Sequence, residues 1–428
     1  MLVQNAQEAL HILEDNDVIW CQSMAATPYK LLEGLAEVAL SRKNLTLLQL
    51  HTEHSEILSD PNLKGHLRQR AFFVGKSTRA AVNEGLADYV PMFLSEIPKL
   101  FRSGEQPLDA VLIQVSPPDA HGNCSLGISV EATRAALQVA RKVIAWINPR
   151  MPRTHGDSFI SLKQIDRYFE AEASLPLHAQ PQQSAVTTQI GERVASLIND
   201  GDCLQMGIGA IPDATLRCLG NHRDLGIHTE MFSDGVLPLV ESGVINNSRK
   251  RKHRGRIVTT FAMGSQQLYD FVDDNPLVAF LDVEYTNDTS VIRQNKQVMA
   301  INSALQIDLS GQVCADSMGT KIYSGVGGQM DFVRGASLSE GGRSVIALPA
   351  TACGGQVSRI SSMLNPGAGV VTTRAHVHYV VTEFGVANLR AKSLTERAEA
   401  LIHIAAPQFR EQLAKQAWED WGLRVRTS

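Results

Sequence analysis

The chain has 428 residues, of which 44% are hydrophobic and 20% are charged, and its formal net charge is −4. This composition is typical of an ordinary globular protein, and the small negative charge gives no reason to expect nucleic acid or an anionic membrane as a partner. No stretch approaches the roughly 18 uninterrupted apolar residues that a membrane-spanning helix needs. The N-terminus lacks a secretory signal and the six cysteines form no C-x-x-C pair, so we expect a cytoplasmic protein with reduced thiols.

The tripeptide His-Thr-Glu occurs twice, at residues 51–53 and 228–230. Each copy follows an apolar i, i+3, i+4 pattern, a buried run and a turn in the same order, which predicts a duplicated helix–strand–turn–helix–strand unit. The run 175–184 contains two prolines and several glutamines and is typical of a linker. We therefore predict an N-terminal domain over residues 1–184 and a C-terminal domain over residues 185–428.

Apolar runs along both halves indicate buried strands. They are residues 45–50, 110–115 and 142–147 in the first half and 256–261, 344–348 and 379–382 in the second. Continuous apolar strands separated by amphipathic stretches indicate parallel sheets that are covered on both faces. The predicted fold class is therefore α/β, with two related open α/β domains that face each other across a cleft. Active sites of such sheets lie at the carboxyl ends of the strands.

The first candidate for a ligand site is the segment Gly207-Ile208-Gly209-Ala210-Ile211-Pro212, which lies between a predicted strand and a predicted helix. Two glycines let the backbone pass close to a ligand, and the N-terminus of the following helix attracts phosphate and other anions. The equivalent turn of the first half, residues 22–28, has no glycine, which suggests that only the second half binds there. A tight turn without a ligand is the alternative.

Glu230 follows this segment by one helix, so βαβ geometry brings both to the same sheet edge. A carboxylate there could bind a ribose hydroxyl, as in dinucleotide folds, where an acidic residue lies about 20 positions after the glycines. It could instead attack an activated carbonyl, since a carboxylate is ionised near pH 7 and needs no general base. Against the dinucleotide alternative, Pro212 or a neighbour stands where a third glycine should be. A solvated or ion-paired glutamate is the remaining alternative.

A third segment, residues 324–332, has glycine at three of the four positions from Gly325 to Gly328. Glycines this dense are not expected inside a strand. Such a loop can aim successive backbone N–H groups at a developing oxyanion, or it can be a plain mobile connection.

Five motifs in order make the chain resemble the acetyl-CoA hydrolase/transferase family, and the likeness covers nearly the whole chain. They are residues 148–157, 207–214, 225–235, 325–332 and 380–387. Within that family the chain looks most like the 4-hydroxybutyrate and butyrate/acetate coenzyme A transferases. The resemblance implies two α/β domains of the coenzyme A transferase fold, in keeping with the duplication.

The resemblance also implies roles for single residues. Glu230 matches the family's nucleophilic glutamate, which becomes a glutamyl–CoA thioester. Gly328, with Gly327 beside it, matches the backbone amide that contacts CoA and stabilises the oxyanion. The residues that match the CoA-binding loop are Gly207, Ile208, Gly209, Ala210 and Ile211.

Other positions match the family less well. Glu53 occupies the repeat-equivalent position of the first half, but its frame lacks the glycine loop, so we interpret it as a structural relic. Glu383 resembles a family glutamate near the carboxylate-substrate site. Where the family often has a lysine before Val-Ser-Arg-Ile, this chain has Gln356, which puts a basic contact to CoA from that position in doubt.

Two further signals are expected to carry no chemistry. His376 and His378 share one face of a strand but have no third ligand in register, so no metal site is expected. The basic run 249–256 is interpreted as a solvated loop, with a contact to CoA phosphates as the alternative.

We therefore expect an enzyme that moves CoA between an acyl-CoA, such as 4-hydroxybutyryl-, butyryl- or acetyl-CoA, and a free carboxylate such as acetate. The expected mechanism is ping-pong, without a prosthetic group, and the family suggests a homodimer. An acyl-CoA hydrolase that uses the same site is the alternative, and a CoA-ester sensor without catalysis is a third.

Overall fold

The computed structural model describes residues 1–179, 182–207 and 209–426. The first half is built on a sheet of seven parallel strands, in the spatial order β7-β6-β5-β1-β2-β3-β4. In chain order these strands are β1 (Val18–Cys21), β2 (Leu45–Gln49), β3 (Leu67–Ala71), β4 (Ala87–Tyr89), β5 (Ala110–Val115), β6 (Lys142–Ile147) and β7 (Arg167–Glu170).

The second half is built on a sheet of six strands, in the spatial order β9-β8-β10-β11-β12-β13. All neighbouring pairs are parallel except the last, which is an antiparallel hairpin. In chain order these strands are β8 (Cys203–Met206), β9 (Gly226–Ile227), β10 (Val298–Ser303), β11 (Arg343–Ala347), β12 (Tyr379–Thr382) and β13 (Gly385–Asn388).

Helices connect and cover the strands, as right-handed crossovers between parallel strands require. The α-helices are α1 (Ala6–Leu10), α2 (Tyr29–Ala39), α3 (Lys76–Asn83), α4 (Ile97–Arg102), α5 (Thr133–Val139), α6 (Ala185–Ala195), α7 (Ala210–Arg217), α8 (Leu237–Glu241), α9 (Gln266–Val272), α10 (Val283–Thr286), α11 (Thr289–Ile292), α12 (Gln329–Leu338), α13 (Leu394–His403) and α14 (Pro407–Trp421). None of the described helices is both long and apolar enough to cross a bilayer.

The duplication is visible in the structure. The order α1-β1-α2-β2 of the first half is repeated as α6-β8-α7-β9 in the second, and each pair of strands is parallel. In both copies the two helices cross at a glycine. A Cβ on Gly34 of α2 would lie 2.9 Å from the Cβ of Ala6, and one on Gly191 of α6 would lie 2.7 Å from the Cβ of Ala214. The predicted helix–strand–turn–helix–strand unit is therefore present twice.

Most of the apolar runs form the predicted strands of the two sheets, but the run 256–261 does not. Only Ile257–Thr259 is a strand there, and it belongs to a separate small sheet, while Phe261–Ala262 pairs with Met231–Phe232. The break occurs because the carbonyl oxygen of Glu230 accepts hydrogen bonds from two successive N–H groups, those of Thr260 (3.0 Å) and Phe261 (3.2 Å). A regular strand cannot turn two successive N–H groups to the same side.

The two halves share one core and exchange short strands. The largest buried cluster combines Trp20 and Phe101 of the first half with Phe232 and Phe261 of the second. His155–Gly156 pairs with Val278–Phe280 in the small sheet, on the far side of the predicted boundary at residue 184. The predicted pair of open α/β domains is confirmed, while the boundary itself stays a prediction.

Candidate active site

Glu230 lies where the chain leaves β9, at the carboxyl edge of the second sheet. The hydroxyl group of Thr229 bonds both the N–H (3.3 Å) and the carbonyl (3.2 Å) of Met206, the last residue of β8. The β8–β9 register pairs Leu204 with Ile227, and its continuation places Gly207 level with Glu230. Parallel pairing therefore brings the glutamate and the start of the first glycine segment to the same edge, as predicted.

The Glu230 carboxylate is half-buried and has one side-chain donor. Its Oε2 accepts a hydrogen bond from Nδ2 of Asn287 at 2.9 Å. It also lies against the backbone of Gly328, where an added Cβ would be 1.8 Å from Oε2. The predicted nucleophile and the predicted oxyanion glycine are therefore in direct contact, and a side chain at position 328 would displace the ends of the Glu230 and Asn287 side chains.

The surroundings of Glu230 change its acidity. Burial raises the pKa of Glu230 from its ordinary value of 4.5 to about 7, the Asn287 hydrogen bond opposes that rise, and the negative charge of Asp331 adds to it. Near pH 7 this carboxylate is therefore partly protonated, whereas the expectation from the sequence was an ionised carboxylate. Loss of hydration makes its charged form costly, which also makes the anion more reactive once it forms.

The glycine-rich loop that contributes Gly327 and Gly328 is held by the opposite half of the molecule. Val74 donates its N–H to the carbonyl of Ser324 (3.1 Å), and Leu94 donates to the carbonyl of Gly327 (3.1 Å). Gly327 adopts a positive φ of 57°, which favours glycine. The first half thus positions a loop that belongs to the second half in sequence.

The other glycine segment follows β8. Gly209 has a φ of 124°, a region open to glycine, and no atom lies within 4 Å of the position its Cβ would take. Gly207 and Ala210 are partly exposed, whereas the side chain of Ile211 is buried in the core, so Ile211 offers a ligand only its backbone. Ile208 lies outside the described residues. Open space therefore lies beside Gly209, as a CoA-binding loop would require.

An apolar cavity of about 70 Å³ ends at Glu230. Its polar side chains are Glu230 and His51, and the first half supplies most of the wall. The lining residues are Met24, Leu50, His51, Phe72, Phe73, Met92, Leu94, Ile97, Glu230, Phe261, Met263 and Gly327.

The two His-Thr-Glu copies therefore meet at this cavity. Nε2 of His51 lies 2.9 Å from Oε1 of Glu53, and Nε2 of His178 lies 3.4 Å from the same oxygen. Burial is the largest single influence on Glu53 and acts to raise its pKa, but the hydrogen bond with His51 and the charges of His51, His178 and His54 together outweigh it, so the pKa is lowered. Glu53 thus contacts a residue of the cavity wall, a connection that its interpretation as a relic did not anticipate.

Asn287 and Asp331 are the site residues without a role in the sequence-based prediction. Asn287 is fully buried just after α10, and its Nδ2 donates to Asp331 Oδ2 (3.1 Å) as well as to Glu230. Asp331 lies inside the predicted segment 324–332, in the first turn of α12. No spacing or repeat marks Asn287, because only the tertiary fold brings it to Glu230.

Glu383 lies away from the cavity. It follows β12, which lies four strands along the sheet from β9, the strand that leads into Glu230, so at the usual spacing of about 4.8 Å the two are roughly 19 Å apart along the edge. Its Oε2 accepts from the N–H of Ala350 at 2.8 Å. The structure therefore gives this glutamate a backbone partner and does not place it beside the Glu230 carboxylate.

The basic run lies at the opposite edge of the sheet. The Arg249 side chain lies beside Gly201, and the Lys250 side chain packs on Gly226, which are residues at the amino ends of β8 and β9. Most of the run is exposed, but Lys250 is 4% exposed and donates to the carbonyls of Ile227 and Arg256. This position supports the solvated-loop interpretation over a contact with CoA phosphates. Among the described residues, no cluster of three or more His, Cys, Asp or Glu could hold a metal ion.

Two family models match the chain. The acetyl-CoA hydrolase/transferase N-terminal domain matches residues 2–177, and the C-terminal domain of the same family matches residues 264–417. The chain is 47% identical over 411 residues to a 4-hydroxybutyrate coenzyme A transferase of Clostridium kluyveri, with 96% of each chain covered. The chain belongs to the acetyl-CoA hydrolase/transferase family.

Other relatives of this family agree. A succinyl-CoA:acetate/propanoyl-CoA:succinate CoA transferase of Fasciola hepatica is 46% identical over 97% of this chain and 87% of its own. The crystal structure of a 4-hydroxybutyrate CoA-transferase from Porphyromonas gingivalis superposes with a TM-score of 0.84 at 36% identity, covering 98% of each chain. The predicted family and the predicted coenzyme A transferase fold are confirmed. Glu230 and residues 207–211 lie between the two matched segments, so their roles rest on geometry.

We predict that Gly328→Ala removes nearly all activity without unfolding the protein, because the new methyl group would take the place of Glu230 Oε2. Acyl-CoA turnover and the melting temperature check this. Gly220→Ala is the matched control, since no atom lies within 4 Å of that Cβ position and its φ is not positive. Activity of Gly328→Ala within a few-fold of the control would contradict the assigned contact.

Proposed function

We propose that this enzyme is a coenzyme A transferase that moves CoA between a short acyl-CoA and a free carboxylate, through a glutamyl–CoA thioester on Glu230. One observation carries the proposal. A carboxylate with its pKa raised to about 7 lies at the end of an apolar cavity, against a glycine backbone, at the same sheet edge as the glycine segment that follows β8.

The chemistry needs no net proton transfer. An oxygen of Glu230 attacks the thioester carbonyl, the C–S bond breaks, and CoA thiolate leaves a mixed anhydride of Glu230 with the acyl group. The thiolate then attacks the glutamyl carbonyl, the bond between that carbon and the acyl carboxylate breaks, and the donor acid departs. The acceptor carboxylate runs both steps in reverse.

The residues at the site suit each step. Both tetrahedral intermediates carry a negative oxygen, and the backbone at Gly328 and Nδ2 of Asn287 lie beside the glutamate where that charge forms. One well-placed donor of this kind is worth about 3 kcal/mol.

The cavity supports transfer over hydrolysis. The mixed anhydride is sensitive to water, and the pocket of about 70 Å³ is lined almost entirely by apolar side chains, so an acyl chain that fills it keeps water out. The hydrolase alternative uses the same glutamate and differs only in the access of water to the anhydride.

The residues that line the cavity also indicate which class of acyl group it accepts. None of the lining residues of this cavity is Lys or Arg, so a second carboxylate on the acyl chain would be buried without a counterion, at a cost of several kcal/mol. We propose short monocarboxylic acyl groups, such as acetyl, butyryl or 4-hydroxybutyryl, with acetate as one acceptor. We also propose the cytoplasm as the location and a homodimer as the assembly, with CoA as substrate and no prosthetic group.

Glu230→Gln should be nearly inactive, because a neutral amide cannot form the anhydride. Mass spectrometry of the peptide that contains Glu230, after acyl-CoA treatment and borohydride or hydroxylamine trapping, should show the modification in the wild type only. Glu241→Gln, the same change on an exposed glutamate, is the control. Substantial transferase activity in Glu230→Gln, or a label on another residue, would refute the nucleophile.

The pH dependence of kcat/KM tests the protonation state of the Glu230 carboxylate. With a pKa of about 7, Glu230 is protonated below neutrality, so kcat/KM should fall about tenfold per pH unit below pH 7 and level off above it. Acceptor acids stay ionised over this range, since their pKa values lie roughly near 4 to 5. A rate that is constant down to pH 5 would contradict the raised pKa.

A comparison of two acyl-CoA substrates tests the proposed preference of the cavity for monocarboxylic acyl groups. We expect butyryl-CoA to exceed succinyl-CoA in kcat/KM by roughly 10-fold or more, as the cost of an unpaired buried charge implies. Parallel assays with and without acetate separate transfer from hydrolysis, because a hydrolase releases free thiol at a rate independent of acetate. Equal use of both acyl-CoA substrates would overturn the monocarboxylic preference.

A further inference from the structure

Asn287 donates one hydrogen bond to each of two carboxylates. Its Nδ2 lies 2.9 Å from Glu230 Oε2 and 3.1 Å from Asp331 Oδ2, and its own Oδ1 has no partner among the described residues. The amide is fully buried. If it turned over, its oxygen would face both carboxylates, which are also acceptors, so the two bonds together fix one orientation.

Asp331 is a buried carboxylate without an ion pair. It is 6% exposed, and within the described part of the chain no Lys, Arg or His lies within salt-bridge distance of it. Its other partner is Ser95 of the first half, which donates its hydroxyl to Oδ1 (2.8 Å) and its N–H to Oδ2 (3.3 Å). An unpaired buried carboxylate is costly, and its neutral isostere would usually be more stable. This cost points to a role beyond folding.

We propose that Asp331 is a positioning residue for the reaction at Glu230, since it holds Asn287 with its N–H groups turned toward the reacting carboxylate. The inference rests on the proposed function, in which Glu230 is the nucleophile. Ser95 in turn holds Asp331, so the first half takes part in orienting the donor. Asp331 itself is not in contact with the reacting atoms and acts through Asn287.

Asp331 can accept these bonds at working pH. Burial raises the pKa of Asp331 to about 6, while the hydrogen bonds from Ser95 and Asn287 oppose the rise, so the carboxylate is ionised above neutrality. Charged groups also face it across a groove of about 240 Å³ on the side away from the acyl cavity. They are Glu96 and Lys99 at the start of α4, Glu284 and Asp288 around α10, and Arg334 on α12. On the cavity side the titratable groups are Glu230, His51 and Glu53.

The sign of the pH effect separates two ways in which Asp331 can act. Asp331 raises the pKa of Glu230 by its charge, and it lowers the same pKa indirectly by keeping Asn287 turned as a donor. The Asn287 bond has the larger effect on Glu230. In Asp331→Asn, the new amide can donate to Oδ1 of Asn287 and let it turn over, so Glu230 loses its donor and its pKa rises. The acid limb of the pH profile, which is the fall of kcat/KM at low pH, should then move to higher pH.

The test compares wild type, Asp331→Asn, Asn287→Ala and the double variant in the full chain, with butyryl-CoA and acetate as probes. We expect Asp331→Asn to lower kcat roughly 10- to 100-fold, the scale of a misplaced catalytic group, while the KM for butyryl-CoA changes little. Since Asp331 acts through Asn287, adding Asp331→Asn to Asn287→Ala should lower kcat little further. Asp270→Asn, on an exposed residue of α9, is the matched control.

The outcomes decide the proposal. If the acid limb of kcat/KM moves to lower pH, Asn287 keeps its orientation without Asp331. If the losses of kcat are fully additive, the two residues act separately. Either result overturns the proposal.

If Asp331→Asn does not fold, Ser95→Ala decides instead. A smaller shift of the acid limb of kcat/KM to higher pH supports the proposal, and an unmoved acid limb with only a lower melting temperature overturns it. Activity of Glu230→Gln would refute the proposed function itself, whereas a labelled Glu230 with wild-type behaviour of Asp331→Asn would refute only this inference.

Discussion

The contact between the Glu230 carboxylate and its three neighbours, Gly328, Asn287 and the apolar cavity, is the constraint that the rest of the structure serves. A carboxylate that must attack a thioester has to lose water to become reactive, yet it needs some donor to ionise at all. Burial raises its pKa to about 7, and a single side-chain hydrogen bond opposes that rise. Further donors would lower this pKa and make the anion less reactive, whereas loss of the Asn287 bond would raise the pKa further.

The duplicated tripeptide shows how the same residues reach opposite electrostatic states. In the first half His51 bonds Glu53, and the pKa of that glutamate is lowered. In the second half His228 is buried and bonds the carbonyl of Thr286 at 2.8 Å, and burial lowers its pKa to about 3, so it stays neutral. Among the described residues, no histidine bonds the Glu230 carboxylate, whose side-chain donor is Asn287. The partner of the histidine thus differs between the two copies, since it is the Glu53 carboxylate in one and a backbone carbonyl in the other.

Features with a local sequence signal could be predicted, whereas features that depend on tertiary contacts could not. Buried strands such as residues 110–115 and 142–147 were predictable because a strand covered on both faces needs an unbroken apolar run, and Glu230 was marked by the repeat and the glycine segment. The break at Thr260 was not, since it depends on one carbonyl of Glu230 accepting two successive N–H groups. Asn287 has no local signal either, because its role follows from a distance to Glu230 across 57 residues of chain. The raised pKa of Glu230 is a property of the closed interface, which no single segment determines.

The two halves of the chain contribute different parts of the site. The second half supplies Glu230, the proposed nucleophile, and the glycine segment, and the first half supplies most of the apolar cavity, the N–H of Leu94 that bonds Gly327 and the hydroxyl that holds Asp331. A change of acyl specificity can therefore occur in residues such as Met24, Leu50 or Met92 without touching the reacting groups. The chemistry, in contrast, depends on the closeness of the two halves, because the loop with Gly328 is anchored on Val74 and Leu94. In the proposed mechanism, a shift between the halves would move this loop away from Glu230 and admit water at the same step, so the interface would govern both the rate of transfer and the loss to hydrolysis.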